Sequence, residues 1–127
     1  MPLYAGTISQ KRAGELVELL KNHRKYWLHH PVPSVPLDSE FFDSDRYWQG
    51  PSWLNTNWLI IDGLKRYGFT EEADELTARS INIVRKSGPY EYFDPIDGKG
   101  LGAADFAWTA ALAVDLVRST NTSPHKS

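Results

Sequence analysis

The sequence predicts an all-α fold of about four helices set in antiparallel hairpins. Two observations carry this reading: apolar residues recur at helical spacing in four separate segments, and glycine and proline punctuate the boundaries between them. The first segment follows Ser9, whose hydroxyl suits an N-cap, and aligns Ala13, Leu16, Val17 and Leu20 on one face, predicting a helix over residues 9–22. Periodicity then stops. From Tyr26 to Gln49 the three prolines Pro31, Pro33 and Pro36 fix φ and remove donors, so an extended surface course is expected. Its density of Trp, Tyr and Phe argues that the loop is ordered and functional, although it exceeds the roughly 12–15 residues usual for a loop without secondary structure.

Gly50 and Pro51 open the second helix and Gly68 closes it, giving residues 51–67. Trp53, Leu54, Trp58, Leu59, Ile60, Ile61 and Leu64 make an apolar surface wider than one stripe, as on an inner helix that packs on more than one side. Thr70 is read as the N-cap of the third helix, with Glu71 and Glu72 in its positive first turn and Gly88 at its end. Ala73, Leu76, Ile83 and Val84 form its buried face, and its charged remainder marks an outer helix. A glycine-rich loop follows from Gly88 to Ala104, and Phe106, Ala110, Ala113, Leu116 and Val117 set the register of the last helix. Residues 1–120 read as one domain and residues 121–127 as a polar disordered tail. Asn121-Thr122-Ser123 matches a glycosylation sequon, taken as a chance match because no secretory signal precedes it.

Composition excludes several classes of function. At 127 residues the chain has the size of one domain. A net charge of −2 with interspersed signs offers no basic stripe for a nucleic acid or an anionic membrane. No apolar run reaches the roughly 20 residues of a membrane span, and the N-terminus lacks a signal-peptide layout, so a cytoplasmic location is expected. The absence of cysteine removes disulfides, thiolate catalysis and thiolate metal sites. His29 and His30 are adjacent, point to opposite sides of an extended chain and have no third ligand in step, so solvated histidines and no metal are expected. His23 and His125 have no partners in sequence. No cofactor is implied.

Chemistry concentrates where helices begin. Tyr47-Trp48-Gln49-Gly50-Pro51-Ser52-Trp53 precedes the second helix and Tyr90-Glu91-Tyr92-Phe93-Asp94-Pro95 precedes the last. In an up-down array these two helices point the same way, so the two junctions share one end of the stack. Aromatic faces for stacking and carboxylates would then meet there, which is the equipment for binding and hydrolysing a sugar.

These two segments, together with Leu54-Asn55-Thr56-Asn57-Trp58-Leu59, Gly100-Leu101-Gly102-Ala103 and Phe106-Ala107-Trp108-Thr109-Ala110-Ala111, resemble the C-terminal signatures of the mannosylglycerate and glucosylglycerate hydrolases of glycoside hydrolase family 63. Pro2-Leu3-Tyr4-Ala5-Gly6 and Pro33-Ser34-Val35-Pro36-Leu37 also fit, so the resemblance covers nearly the whole chain. It implies the C-terminal third of a barrel of six helical hairpins and an inverting α-glycosidase with two carboxylic acids. By resemblance Glu91 is the general base, while Tyr47, Trp48, Gly50 and Trp53 line the sugar pocket. Trp108 matches a tryptophan of the family's terminal block and is read with them. The acid of the family is an aspartate in an Asp-Ser-Gly-Trp-Asp segment that this sequence lacks. Gln49 departs from the arginine usual in the family, and a neutral amide cannot offer a carboxylate the charged bidentate fork of a guanidinium.

Plainer roles compete at several positions. Tyr47, Trp48 and Trp53 could be core, Trp58 reads as core, Asp94 before Pro95 as a turn former, and Asp62 and Asp115 as surface or paired groups. Three readings follow: an inverting α-glycosidase portion acting on a small glucoside or mannoside and inactive alone; a small hydrolase that completes its site by homo-oligomerisation; and a non-catalytic carbohydrate-binding or structural remnant. The partners expected are a small sugar or glycoside and either a second copy or the missing N-terminal barrel half.

Overall fold

A computed structural model describes residues 2–43 and 50–122. Among them the elements run α1 (Pro2–Ala5), α2 (Gln10–Leu20), α3 (Leu54–Arg66), α4 (Thr70–Ser87), β1 (Tyr92–Phe93), β2 (Gly100–Leu101) and α5 (Ala107–Thr122). The all-α class holds. Beyond the four expected helices there is a short α1, and the glycine-rich loop contains a two-stranded antiparallel ribbon pairing Tyr92 with Leu101 and Phe93 with Gly100. None of the described helices is long and apolar enough to cross a membrane.

The helix α2 starts as its sequence demands. The Ser9 hydroxyl accepts from the Arg12 N–H at 3.2 Å, and Ala13 and Val17 are buried on the inward face. It stops at Leu20, short of residue 22, where the main chain of Asn22 begins to collect the N–H groups of Lys25, Tyr26 and Trp27 instead.

The helix α3 occupies the centre, packed against α1, α4 and α5. That position explains its wide apolar surface, with Leu54, Ile60, Ile61 and Leu64 all buried. Gly63 is needed for the contact with α1, because a Cβ there would lie 2.6 Å from the carbonyl carbon of Leu3. The helix begins at Leu54 rather than at Pro51. Pro51 and Ser52 are engaged in strand-like pairing, and that tertiary bonding overrides the local helix-start signal. At the other end Gly68 has φ of +84°, and its N–H and that of Phe69 bond back to Lys65 and Leu64, which closes the helix and turns the chain into α4.

In α4 the N-cap is Phe69 and makes no side-chain capping bond; Thr70 is already helical. The Phe69 carbonyl accepts from Ala73 N–H, while Glu71 and Glu72 sit in the first turn as expected. Buried Leu76 and Ile83 face the core, Val84 is half-buried, and Gly88 with φ of +94° ends the helix. Full burial of side chains such as Leu64 and Leu76 contributes roughly 1.5–3 kcal/mol each. The last helix α5 starts at Ala107, later than Ala104, because residues 102–105 turn the chain out of the ribbon. It runs through Asn121 to Thr122, two residues into the expected tail.

The long connection between α2 and α3 is tied down by α3 and α4. Asn57, 1% exposed, donates to Pro31 O at 2.8 Å and Ser80 Oγ at 3.0 Å, and accepts from Val32 N–H at 3.0 Å. The buried Trp27 donates its indole N–H to Glu75 at 2.9 Å, and Arg79 reaches the Leu28 carbonyl. Three stretches then lie side by side: Ser52 bridges Pro33 on one side and Phe93 on the other.

Candidate functional site

That bridge brings the two aromatic junctions together. Ser52 N–H donates to Phe93 O at 2.7 Å and Phe93 N–H to Ser52 O at 2.9 Å. With this register fixed, the rings of Trp53 and Tyr92 stack at 4.9 Å with an interplanar angle of 25°. The first turn of α3, the residue before β1 and the first turn of α5 therefore face one recess, lined by Trp53, Asn55, Glu91, Phe106, Trp108, Thr109 and Leu112.

Glu91 is half-buried in that recess. Its N–H donates to Ala103 O at 2.9 Å, and Ala103 N–H donates to Glu91 Oε1 at 3.2 Å. Gly102 makes this possible. It has φ of +73°, and a Cβ on it would sit 2.7 Å from Glu91 Oε1. The carboxylate thus lies directly against the main chain that leads into α5.

The other residues singled out from sequence are placed unevenly. Trp53 lines the recess but is only 6% exposed, its face taken by Tyr92. Trp108 is 58% exposed and presents the open aromatic edge of the recess. Gly50 is buried and its close approach is to protein, since a Cβ there would meet Asp43 O at 2.3 Å. Tyr47, Trp48 and Gln49 lie outside the described residues, as does His125. Trp58 is half-buried against the core and donates its indole N–H to Asp115 at 2.9 Å, while Asp62 pairs with Arg66. Asp94 shapes a turn, accepting Ile96 N–H on Oδ1 at 2.8 Å.

Recess residues that sequence reading passed over are Asn55, Phe106, Thr109 and Leu112. The shared level of the two helix starts was the available signal, because it places the first turns of both helices beside Glu91. One expectation is corrected outright: His30 is not solvated. It is 3% exposed because the loop from Leu28 to Pro33 is pressed onto α3 and onto the turn before β2, and burial holds its imidazole below the ordinary histidine pKa. Its neighbour His29 is exposed. Among the described residues no group of three or more His, Cys, Asp or Glu is placed to hold a metal ion.

A model of the mannosylglycerate hydrolase MGH1-like glycoside hydrolase domain matches residues 1–109. The chain belongs to this glycoside hydrolase family. It is 40% identical over 117 residues to a mannosylglycerate hydrolase of Thermus thermophilus, an alignment covering 90% of this chain and 27% of that enzyme. It is 50% identical over 87 residues to the mannosylglycerate hydrolase of Rubrobacter radiotolerans, covering 68% of this chain and 20% of the relative. A solved family 63 mannosylglycerate hydrolase, from a second strain of Thermus thermophilus and in complex with Tris, superposes with a TM-score of 0.85 at 39% identity, over 92% of this chain and 28% of the other. The fold is thus that of a portion of the (α/α) barrel, and the chain spans about a quarter of the length of these relatives.

Proposed function

We propose that this chain carries the base side of an inverting α-glycosidase site for a small glucoside or mannoside. Glu91 is the general base, and the acid stands on a part of the barrel outside residues 1–120. The observation that supports this most is the placing of the Glu91 carboxylate, held by Ala103 N–H in a recess between the aromatic residues Trp53 and Trp108.

In such a site Glu91 takes a proton from a water as that water's oxygen bonds to the anomeric carbon. The bond to the leaving oxygen breaks on the opposite face, and a carboxylic acid roughly 6.5–9.5 Å away protonates that oxygen. The anomeric configuration inverts. Trp108 supplies the stacking surface at the mouth and Trp53 backs Tyr92, while Tyr47, Trp48 and Gly50 are assigned to sugar binding on the family resemblance.

The size of the recess bears on what the chain does alone. The recess has a volume of about 10 Å³, room for about one water. Small-molecule sites enclose on the order of 300–1,000 Å³. A recess of this size supports the reading that the opposite wall comes from elsewhere and that the chain by itself is inactive.

The test places this chain in the barrel of the Thermus thermophilus mannosylglycerate hydrolase, in exchange for the segment it matches. The isolated chain should leave mannosylglycerate, glucosylglycerate and aryl α-glycosides intact, and the chimera should hydrolyse at least one of them with release of the β anomer, read by proton NMR. Retention of configuration, or a folded chimera with no turnover of any of them, contradicts the proposal.

A second reading, self-association that completes the site, is favoured by one observation. Residues 107–114 of α5 are apolar apart from the buried Thr109, yet Trp108, Ala111 and Val114 are exposed. A monomer by sedimentation at high concentration overturns it.

A further inference from the structure

We propose that His30 is a proton-sensitive prop beneath the ribbon that carries Glu91, firm when the imidazole is neutral and released when it is protonated. Nothing in the catalytic reading uses this residue.

His30 belongs to the loop between α2 and α3 and is 3% exposed. Its ring lies flat against Gly98 in the turn between β1 and β2: a Cβ on Gly98 would be 2.8 Å from Cε1, 2.9 Å from Nε2 and 3.0 Å from Nδ1. Only a glycine, here with φ of +77°, leaves room for the imidazole. Nδ1 is buried and finds no hydrogen-bond partner among the described residues. The main chain of His30 meanwhile accepts the Ser52 hydroxyl at 2.9 Å, and Ser52 pairs with Phe93, so the residue reaches the turn end of the ribbon twice, directly through its ring at Gly98 and indirectly through Ser52 at Phe93.

The turn resting on the ring is itself pinned to the end of α4. Ser87 donates to Gly98 O, Lys86 to Asp97 O, and Gly98 N–H to Asp94 O at 2.8 Å. The charged and titratable groups facing the imidazole are consequently Lys86 from α4, His29 from its own loop, and Asp94 and Asp97 from the turn. Burial, then Lys86, then His29 disfavour the imidazolium, and the two aspartates favour it more weakly, so the net direction of the pKa is downward.

The sign of the linkage follows. An unfolded chain binds this proton near the ordinary histidine pKa of about 6.5 and the folded chain binds it lower, so the packing of His30 contributes fully above about 6.5. That contribution fades as pH falls towards the folded value. Because Nδ1 is closed to water and has no acceptor among the described residues, protonation drives the ring from its seat, which frees the Gly98 turn, loosens the Ser52–Phe93 pairing and lets Glu91 shift.

Two measurements on the full chain test this. The imidazole Cε1–H resonance of His30, followed by NMR, should titrate below 6.5. Over the same range the amide-exchange protection of Phe93 and Gly98 should fall by about tenfold for each unit by which the pKa is depressed, while that of Ala73 and Leu76 in α4 stays constant. In a His30→Gln variant this local pH dependence should disappear while general acid unfolding remains. A His30 that titrates at or above 6.5, or protection at Phe93 and Gly98 that falls in step with α4, overturns the proposal on wild-type protein alone, whether or not the variant folds.

Discussion

Ser52 and Phe93 exchange both main-chain hydrogen bonds, at 2.7 and 2.9 Å, across 41 residues of sequence that include the whole of α3 and α4. This pair sets the stack of Trp53 on Tyr92 and holds Glu91, two residues before Phe93, at the recess. Replacing Ser52 by Pro removes one of the two bonds and also the hydroxyl that reaches His30 O. A loss of about 2–3 kcal/mol is expected in urea unfolding, together with a weakened near-ultraviolet circular dichroism signal from the separated rings.

Asn57 holds the proline-rich loop by two hydrogen bonds, to Pro31 and Val32, and makes a third to Ser80 of α4, in a site closed to solvent. Its replacement by Ala leaves Val32 N–H and Pro31 O buried without partners, and the expected loss is about 3 kcal/mol. The same change at half-buried Asn55, whose side chain accepts the neighbouring Thr56 N–H, should cost under about 1 kcal/mol. Chemical denaturation of the two variants side by side checks the difference.

Gly102→Ala places a methyl group 2.7 Å from Glu91 Oε1 at a residue with φ of +73°. Strain of roughly 1 kcal/mol is expected in stability. The larger consequence should be in turnover of the barrel chimera, because the carboxylate must move off Ala103 N–H. A variant that loses stability and keeps full kcat would show that this placing of the carboxylate is irrelevant to the reaction.

Trp108 is 58% exposed, so Trp108→Ala should change stability by less than about 0.5 kcal/mol. Loss of a stacking face worth about 1 kcal/mol should lower kcat/KM of the chimera roughly fivefold, mainly through KM. Steady-state kinetics paired with a thermal melt separates the two effects.

Much of this was legible in the sequence because the signals are local. Ser9, Gly68 and Gly88 act within a turn of where they stand, so the ends they set for α2, α3 and α4 were readable. The alignment of the two helix starts, and hence the meeting of Trp53 with Glu91, followed from hairpin topology alone. What was missed depends on distant groups. Pro51 and Ser52 looked like a helix start because their partners, Ser34 and Phe93, lie 17 and 41 residues away. His30 looked like a surface residue because nothing near it in sequence announces that Gly98 will receive its ring. The ribbon of two residues per strand is too short to show alternation, and its pairing rests on Ser52 and on the glycines that clear space for Tyr90 and Glu91.

The most direct test of the central claim compares Glu91 with Glu91→Gln in the chimera that carries this chain within the Thermus thermophilus barrel. The amide keeps the shape and cannot take the proton, so kcat should fall by roughly 10²–10⁴-fold with KM little changed. A variant that retains the parent's kcat would show that the base lies elsewhere and that this chain's part in the reaction is not the one proposed.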